Sequence, residues 1–413
     1  MNKTLEEQLE ILLRGVIEVV PREELAQKIK NSLSTGKPLR IKLGVDPTAP
    51  DVHLGHTVVM RKLAQFQALG HQVILIVGDY TATVGDPSGR SKARPRMEHA
   101  EVLENAKDYQ EQFFKIVDRN HTEVVYNGNW FKTMPFDQVT KLLSQITVAQ
   151  MLERQDFQSR YAQGNPISLH EFMYPLMQGY DSLMIDADVE IGGTDQKFNV
   201  LRGRDIQIAE GKEPQIGLFM PILIGTDGKN KMSKSLGNYV GINESPIAMY
   251  HKIYTLADAL IVDWYTLLTD IPLEEIQKIS SSLQSGELNP NEAKHRLALD
   301  IVTQYHGVDA ALAAAETEKA VHAGNAIPAD APVTTMSEGT YKLLDLLISV
   351  SAFPSKGEAR RMLQNGGVKL QQEKVTDPNL DVLVAKEQLV IQVGKRNFYL
   401  VESRLNNSSS ELR

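Results

Sequence analysis

The run Val73-Ile74-Leu75-Ile76-Val77 is apolar at every position, which suits a strand covered on both faces. Strand-like segments recur at 39–45, 72–77, 122–126, 187–191 and 216–224, with helical segments between them. A chain that alternates strand and helix in this way folds into a parallel sheet flanked by helices. Its crossovers are right-handed almost without exception. The predicted class is therefore α/β, a doubly wound, Rossmann-like parallel sheet. Such sheets hold ligands outside the carboxyl ends of their strands, so the residues just after each strand carry the chemistry.

The first of these junctions is Gly44-Val45-Asp46-Pro47-Thr48-Ala49-Pro50-Asp51-Val52-His53-Leu54-Gly55-His56. Before it, Leu39-Arg40-Ile41-Lys42-Leu43 alternates apolar and basic residues as a strand does. After it, Val58, Val59, Leu63, Phe66 and Leu69 recur at helical spacing. Free N–H groups at a helix start attract phosphate. Gly55 has no side chain to block close approach, and His53 and His56 can donate to phosphate oxygens. A histidine pair also fits metal ligation, but no third ligand lies at metal spacing and the chain has no cysteine. No protein-ligated metal is expected. Taken alone, the pair reads best as surface histidines.

A second stretch changes that reading. Residues 225–238 leave the last predicted strand with Lys229, Lys231 and Lys234 close together. A lysine-rich loop is usually a solvated surface loop. Here it can fold back over a nucleotide at the strand ends, where lysine suits a triphosphate as a flexible point charge. Gly192-Gly193-Thr194-Asp195-Gln196 makes another strand–glycine–helix junction. The loop over 78–95 is rich in glycine, proline and basic residues. It suits either a solvated connection or a substrate-holding loop, with Asp86 singled out and Arg90 and Arg94 as phosphate contacts.

Ser168-Leu169-His170-Glu171 is a capping-box pattern. It opens a helix on which Tyr174, Gln178 and Asp181 share one face, amid Met173, Leu176, Met177 and Leu183. Either this is a polar surface stripe, or the helix is buried and those groups need partners. A bound polar ligand would supply them. Pro175 is tolerable in a first turn or at a kink.

At 413 residues the chain has room for two to four domains. Its apolar runs are too short to span a membrane, and its N-terminus lacks the layout of a signal peptide, so a cytoplasmic protein is expected. The net charge of −8 argues against a protein basic all over. Residues 339–404 are the cationic part, with ten Lys/Arg against seven Asp/Glu. The predicted organisation is a Rossmann-like domain over 1–225 and a lysine loop with connector over 226–245. An α-helical domain over 246–323 and a linker over 324–338 follow. A small α+β module over 339–403 and a disordered tail over 404–413 complete the chain. In the module, Lys356, Arg360 and Arg361 form a candidate phosphate-contacting strip.

His53-Leu54-Gly55-His56 and Lys231-Met232-Ser233-Lys234-Ser235 resemble the two signature motifs of class I aminoacyl-tRNA synthetases. The first departs from the commonest form only in Leu54 for isoleucine; the second matches at all five positions. Over nearly its whole length the chain resembles the bacterial tyrosyl-tRNA synthetase family. The segments that carry this are Gly44-Val45-Asp46-Pro47-Thr48-Ala49, Gly85-Asp86-Pro87-Ser88-Gly89, the helix face 174–181 and Gly192-Gly193-Thr194-Asp195-Gln196. The last module resembles an S4 RNA-binding domain.

The resemblance implies activation of L-tyrosine by ATP with Mg²⁺, then transfer of tyrosine to tRNA(Tyr). It implies that His53, His56, Lys231 and Lys234 serve catalysis. Gly44, Asp46, Thr48, Gly55, Gly193, Asp195, Met232 and Ser233 join His53, His56 and Lys234 around ATP. Tyr174, Gln178, Gln196 and Asp86 take the amino acid's ammonium and carboxylate, and Asp181 faces the phenol hydroxyl. Arg90, Arg94, Lys356, Arg360 and Arg361 fall to tRNA. Many members carry a tyrosine where this chain has Lys42, so Asp181 is expected to carry more of the hydroxyl recognition, with Lys42 or a water assisting. A homodimer is implied, with its interface around 120–165, and no membrane partner.

Overall fold

The computed structural model describes residues 3–48, 51–88, 97–323, 326–328, 331–394 and 397–404. Arg90, Arg94 and the tail beyond Arg404 lie outside them. Six strands form the first sheet: β1 (Glu18–Val20), β2 (Arg40–Val45), β3 (Gln72–Val77), β4 (Thr122–Tyr126), β5 (Val189–Gly193) and β6 (Ile216–Met220). Their order is β1-β6-β5-β2-β3-β4. All neighbours are parallel except β1, which runs antiparallel to β6.

The parallel strands are the five anticipated, within a few residues at their ends. β1 was not anticipated, because three residues at a sheet edge are too few to show a period. Val73 to Val77 are all at most 1% exposed, and each such side chain contributes roughly 1.5–3 kcal/mol by leaving water.

Numbering reverses direction between β2 and β5. From β2 the sheet proceeds through β3 to β4 on one side, and through β5 to β6 on the other. β2 pairs with β5 only at Ile41↔Val189 and Lys42↔Glu190, whereas it pairs with β3 along six residues. Beyond Lys42 and Glu190 the ladder stops and a crevice opens at the carboxyl ends.

Helices place the remaining parts. The helix Leu54–Ala68 follows β2 and buries Leu54, Val58, Leu63 and Phe66. Ser168 and Glu171 form their capping box, with Ser168 N donating to Glu171 Oε1 at 2.8 Å. It opens the 3₁₀ turn Leu169–Phe172, which runs into the helix Met173–Met184. Pro175 therefore stands in a first turn, where no backbone donor is missed. Met173–Met184 lies against the helix Lys197–Ala209. A Cβ on Gly179 would fall 2.9 Å from the backbone of Arg202, so only glycine admits this approach.

The chain separates into two compact units, Met1–Glu244 with Thr255–Leu297 and Ser245–Tyr254 with Ala298–Arg413. The helical stretch 246–323 is thus shared between them. In the first unit the helix Ile261–Leu268 buries Trp264 and Tyr265. Its last carbonyls accept from Arg14, including Thr269 O at 2.9 Å.

In the second unit the helices Leu343–Ser349 and Lys356–Gln364 pack on a five-stranded sheet. One strand of that sheet is Val333–Met336, parallel to Asn397–Ser403. This corrects the linker reading of 324–338. Pro328 and Pro332 masked an alternating, β-branched Val-Thr-Thr segment that pairs as a strand.

Candidate active site

The crevice between β2 and β5 leads into a cavity of about 300 Å³. Gly44, Asp46, Thr48, His56, Asp86, Tyr174, Gln178, Asp181, Gly193 and Gln196 all line it. These ten residues come from four separate segments of the sequence, and the fold brings them to one place.

The cavity floor is a continuous polar network. Tyr174 Oη donates to Asp46 Oδ2 at 2.9 Å, and Thr81 Oγ1 donates to Asp46 Oδ1 at 2.8 Å. Asn127 Nδ2 donates both to Thr81 Oγ1 at 3.0 Å and to Asp181 Oδ2 at 3.2 Å. Trp130 Nε1 completes it on Asp181 Oδ1 at 3.0 Å. Gly78 makes room for this network, since a Cβ there would sit 2.1 Å from Asp46 Oδ1 and 2.3 Å from Thr81 Oγ1.

Burial raises the Asp181 carboxyl to about 7. The Lys42 ammonium and the two donors on Asp181 oppose that rise, and Glu190 adds to it. Burial, then Asp46, pushes the Tyr174 phenol well above its ordinary range, so it stays a neutral donor.

A second network holds the cavity's other wall. Gln196 Nε2 donates to Asp86 Oδ2 at 2.9 Å. Asn199 Nδ2 donates to Gln178 Oε1 at 3.0 Å and to Gln196 Oε1 at 3.2 Å. Asn199 is itself held by Arg154 Nη1 at 2.7 Å. Four carboxylates, Asp46, Asp86, Asp181 and Glu190, face this cavity. That lining suits an ammonium and a hydroxyl donor; it repels an anion.

Two histidines meet at the start of the helix Leu54–Ala68. His53 and His56 stack with ring centroids 3.7 Å apart. Burial, His56 and Lys234 push His53 down to about 3. The protein around the cavity, then Lys234, also holds His56 below the imidazole range, although its ring opens to solvent. Both are neutral at pH 7, and each keeps one N–H to donate.

The lysine loop is tied to this helix start. Gly55 N–H points at Met232 Sδ, 3.3 Å away, and the Lys234 ammonium pairs with Asp51. Asn238 supports the loop from within: its Oδ1 accepts from Ser233 N at 2.8 Å, and its Nδ2 donates to Lys231 O at 3.1 Å and Asp227 Oδ2 at 3.0 Å. Lys231 is exposed, and its charge opposes the rise that burial causes in the Asp195 carboxyl.

Other expectations land elsewhere. Asp195 lines a neighbouring hollow with Ser88, Arg154 and Phe198. Lys356, Arg360 and Arg361 are exposed on the helix Lys356–Gln364, whose Ala359 and Leu363 are buried. Lys42 is corrected: it does not line the cavity. It is fully buried, and its ammonium meets Gln178 O at 2.7 Å, Ser182 Oγ at 2.7 Å and Glu190 Oε1 at 3.0 Å. Its three donors are used, leaving none for a ligand.

Thr81, Asn127, Trp130, Asn199 and Glu190 were not singled out from the sequence. Two signals pointed that way. Asn127 directly follows a predicted strand, and Glu190 interrupts an apolar one.

Comparison with known proteins agrees with this geometry. The family described as tRNA synthetases class I (W and Y) matches residues 34–323. A tyrosine–tRNA ligase C-terminal domain family matches 325–401. The tyrosine–tRNA ligase of Moorella thermoacetica is 51% identical over 398 residues, covering 96% of both chains. That of Aquifex aeolicus is 49% identical over 400 residues, covering 97% of this chain and all of the relative.

Among solved structures, a C-terminally truncated mitochondrial tyrosyl-tRNA synthetase of Aspergillus nidulans is 26% identical. It superposes with a TM-score of 0.61, covering 77% of this chain and 94% of that one. The Archaeoglobus fulgidus tyrosyl-tRNA synthetase, solved with L-tyrosine, has the same fold at 23% identity and a TM-score of 0.61, covering 76% of this chain and 100% of that one. A cavity at the switch point of a parallel sheet, edged by a histidine helix start to which a lysine loop is tied, thus coincides with whole-chain similarity: the chain belongs to the tyrosine branch of the class I tRNA synthetases.

Proposed function

We propose that the protein activates L-tyrosine with ATP, releasing pyrophosphate, and then transfers the tyrosyl group to tRNA(Tyr). The observation that carries this reading is a cavity with an acidic, hydrogen-bonded floor and, at its edge, N–H-donating histidines beside the lysine loop. An amino acid's ammonium and phenol hydroxyl suit the first, and a triphosphate suits the second. In the first step the tyrosine carboxylate attacks the α-phosphorus, and pyrophosphate leaves. The protein supplies no nucleophile. It holds the reactants in line and neutralises charge developing on phosphate oxygens.

Asp181 accepts from the phenol hydroxyl, while Asp86, Tyr174, Gln178 and Gln196 orient the ammonium and carboxylate. Gly44, Asp46, Thr48, Gly193 and Asp195 serve the nucleotide. His53 and His56 donate neutral N–H groups to the phosphate chain, and Lys231 and Lys234 close over its outer phosphates, with Met232 and Ser233 shaping their loop. Mg²⁺ travels with the triphosphate as part of the substrate. In the second step a hydroxyl of the terminal tRNA ribose attacks the tyrosyl carbonyl, and AMP leaves. Lys356, Arg360 and Arg361 contact tRNA phosphates.

Two copies pair through the region around 120–165, which carries Phe136, Val148 and Tyr161, with Leu169 just beyond it. These apolar side chains are 61–82% exposed, and such patches favour burial against a partner. Among the described residues no helix is long and apolar enough to cross a membrane, and we assign the reaction to the cytoplasm.

ATP–pyrophosphate exchange with each of the twenty amino acids tests the reading. Exchange with tyrosine alone is expected. Exchange with tryptophan alone, or with none, would overturn it.

A further inference from the structure

We propose that Lys42 and Glu190 act as a buried positioning pair, which sets the grip on the bound amino acid through Gln178 and Asp181 without touching the substrate through Lys42. This rests on the tyrosine reading of the cavity. The two residues are register partners on β2 and β5, 0% and 1% exposed, with Nζ 3.0 Å from Oε1. Glu190 accepts three further groups: Gln178 Nε2 at 3.0 Å, Ser182 Oγ at 3.0 Å and Gln215 Nε2 at 2.6 Å. Taking two charges out of water is costly, and an apolar pair of like volume often folds as well. A stability role alone therefore does not account for them.

Their contacts indicate another role. Lys42 Nζ and the Glu190 carboxylate both hold Gln178 and Ser182, on the helix that carries Tyr174 and Asp181. Gln178 is clamped between Glu190 on one side and Asn199 on the other, so its amide meets the cavity in a single orientation. The pair also sets the charge around Asp181. Facing that carboxyl are Lys42 from β2, Glu190 from β5, Asn127 and Trp130 beyond β4, and Tyr174 on its own helix. Lys42 favours the ionised form, which can accept the phenol hydroxyl, and Glu190 opposes it. Removing one partner leaves the other charge unopposed beside Asp181.

The test is a pair of single variants with opposite signatures. In Lys42→Met the pH below which kcat/KM for tyrosine falls should move up by roughly one unit, a tenfold change in the ionisation equilibrium. In Glu190→Gln it should move down. In both, KM for tyrosine should rise about tenfold through the loosened Gln178, while KM for ATP stays within about twofold.

One folded variant is enough to decide. An unchanged profile, a shift of the wrong sign, or KM values for tyrosine and ATP rising together would overturn the proposal. Failure of both variants to fold would assign the pair to stability and overturn it too. Failure of the underlying reading looks different: the unaltered protein would then show no tyrosine-dependent exchange.

Discussion

At the floor of the cavity each polar side chain already has a protein partner. Asp181 accepts from Asn127 and Trp130, Asp46 from Tyr174 and Thr81, and Gln178 sits between Glu190 and Asn199. At the mouth the arrangement is sparser. Lys231 is exposed, Lys234 pairs with the exposed Asp51, and the loop meets the histidine helix through a weak N–H···S contact. The contrast separates two tasks. Telling one amino acid from another needs groups fixed before the ligand arrives, because a misfit then leaves a buried group unpaired. Neutralising a triphosphate and releasing pyrophosphate needs charges that can follow the ligand.

If the two ends are separate, damage at one should spare the other. The largest effect is expected for Lys234→Ala. Pyrophosphate exchange should slow about 10²–10³-fold, the scale of losing one group that stabilises transition-state charge, while tyrosine binding measured at equilibrium stays within about twofold. A parallel loss of tyrosine affinity would break the comparison. Next, Asp181→Asn should lower the ratio of kcat/KM for tyrosine over phenylalanine by about 10–100-fold, the range for a hydrogen bond to a charged group. An unchanged ratio would remove Asp181 from ring recognition.

A pH profile sharpens the contrast further. Asp181 is raised to about 7, and in the role proposed for it the ionised form is the stronger acceptor for a phenol hydroxyl. So kcat/KM for tyrosine should fall by up to about tenfold per unit below pH 7, and Asp181→Asn should abolish that inflection. His53, held down at about 3, should add no inflection in the ATP dependence between about pH 5 and 8. The smallest effect is expected for Met232→Ala. Losing the sulfur contact should raise KM for ATP about threefold, worth under ~1 kcal/mol, with KM for tyrosine unmoved.

How much of this was legible in the sequence follows the same division. The five parallel strands, the histidine helix start and the face of Tyr174, Gln178 and Asp181 repeat a local period, and local periods can be read. The partners of that face cannot be read the same way. Asn127 reaches Asp181 across 54 positions, and Asn199 reaches Gln178 across 21, with no spacing rule to connect them. Lys42 misled for a related reason. Alternation of apolar and basic residues in 39–43 resembles a strand with one wet face, yet both faces of β2 are covered and the basic side chain is internal. Only its ion partner, 148 positions away on another strand, explains it. Arg40, two residues earlier, follows the alternation and remains partly exposed.

The β2–β5 ladder ends at the rung Lys42↔Glu190, and those same residues are joined by their side chains. In mechanical terms this is a stitch at the end of a seam. The crevice can deepen toward the amino ends of the strands only by opening a fully satisfied, buried ion pair, so the depth of the cavity is fixed where the backbone stops pairing. A ligand longer than the pocket is therefore turned back by the sheet itself as well as by the side chains that greet its ring.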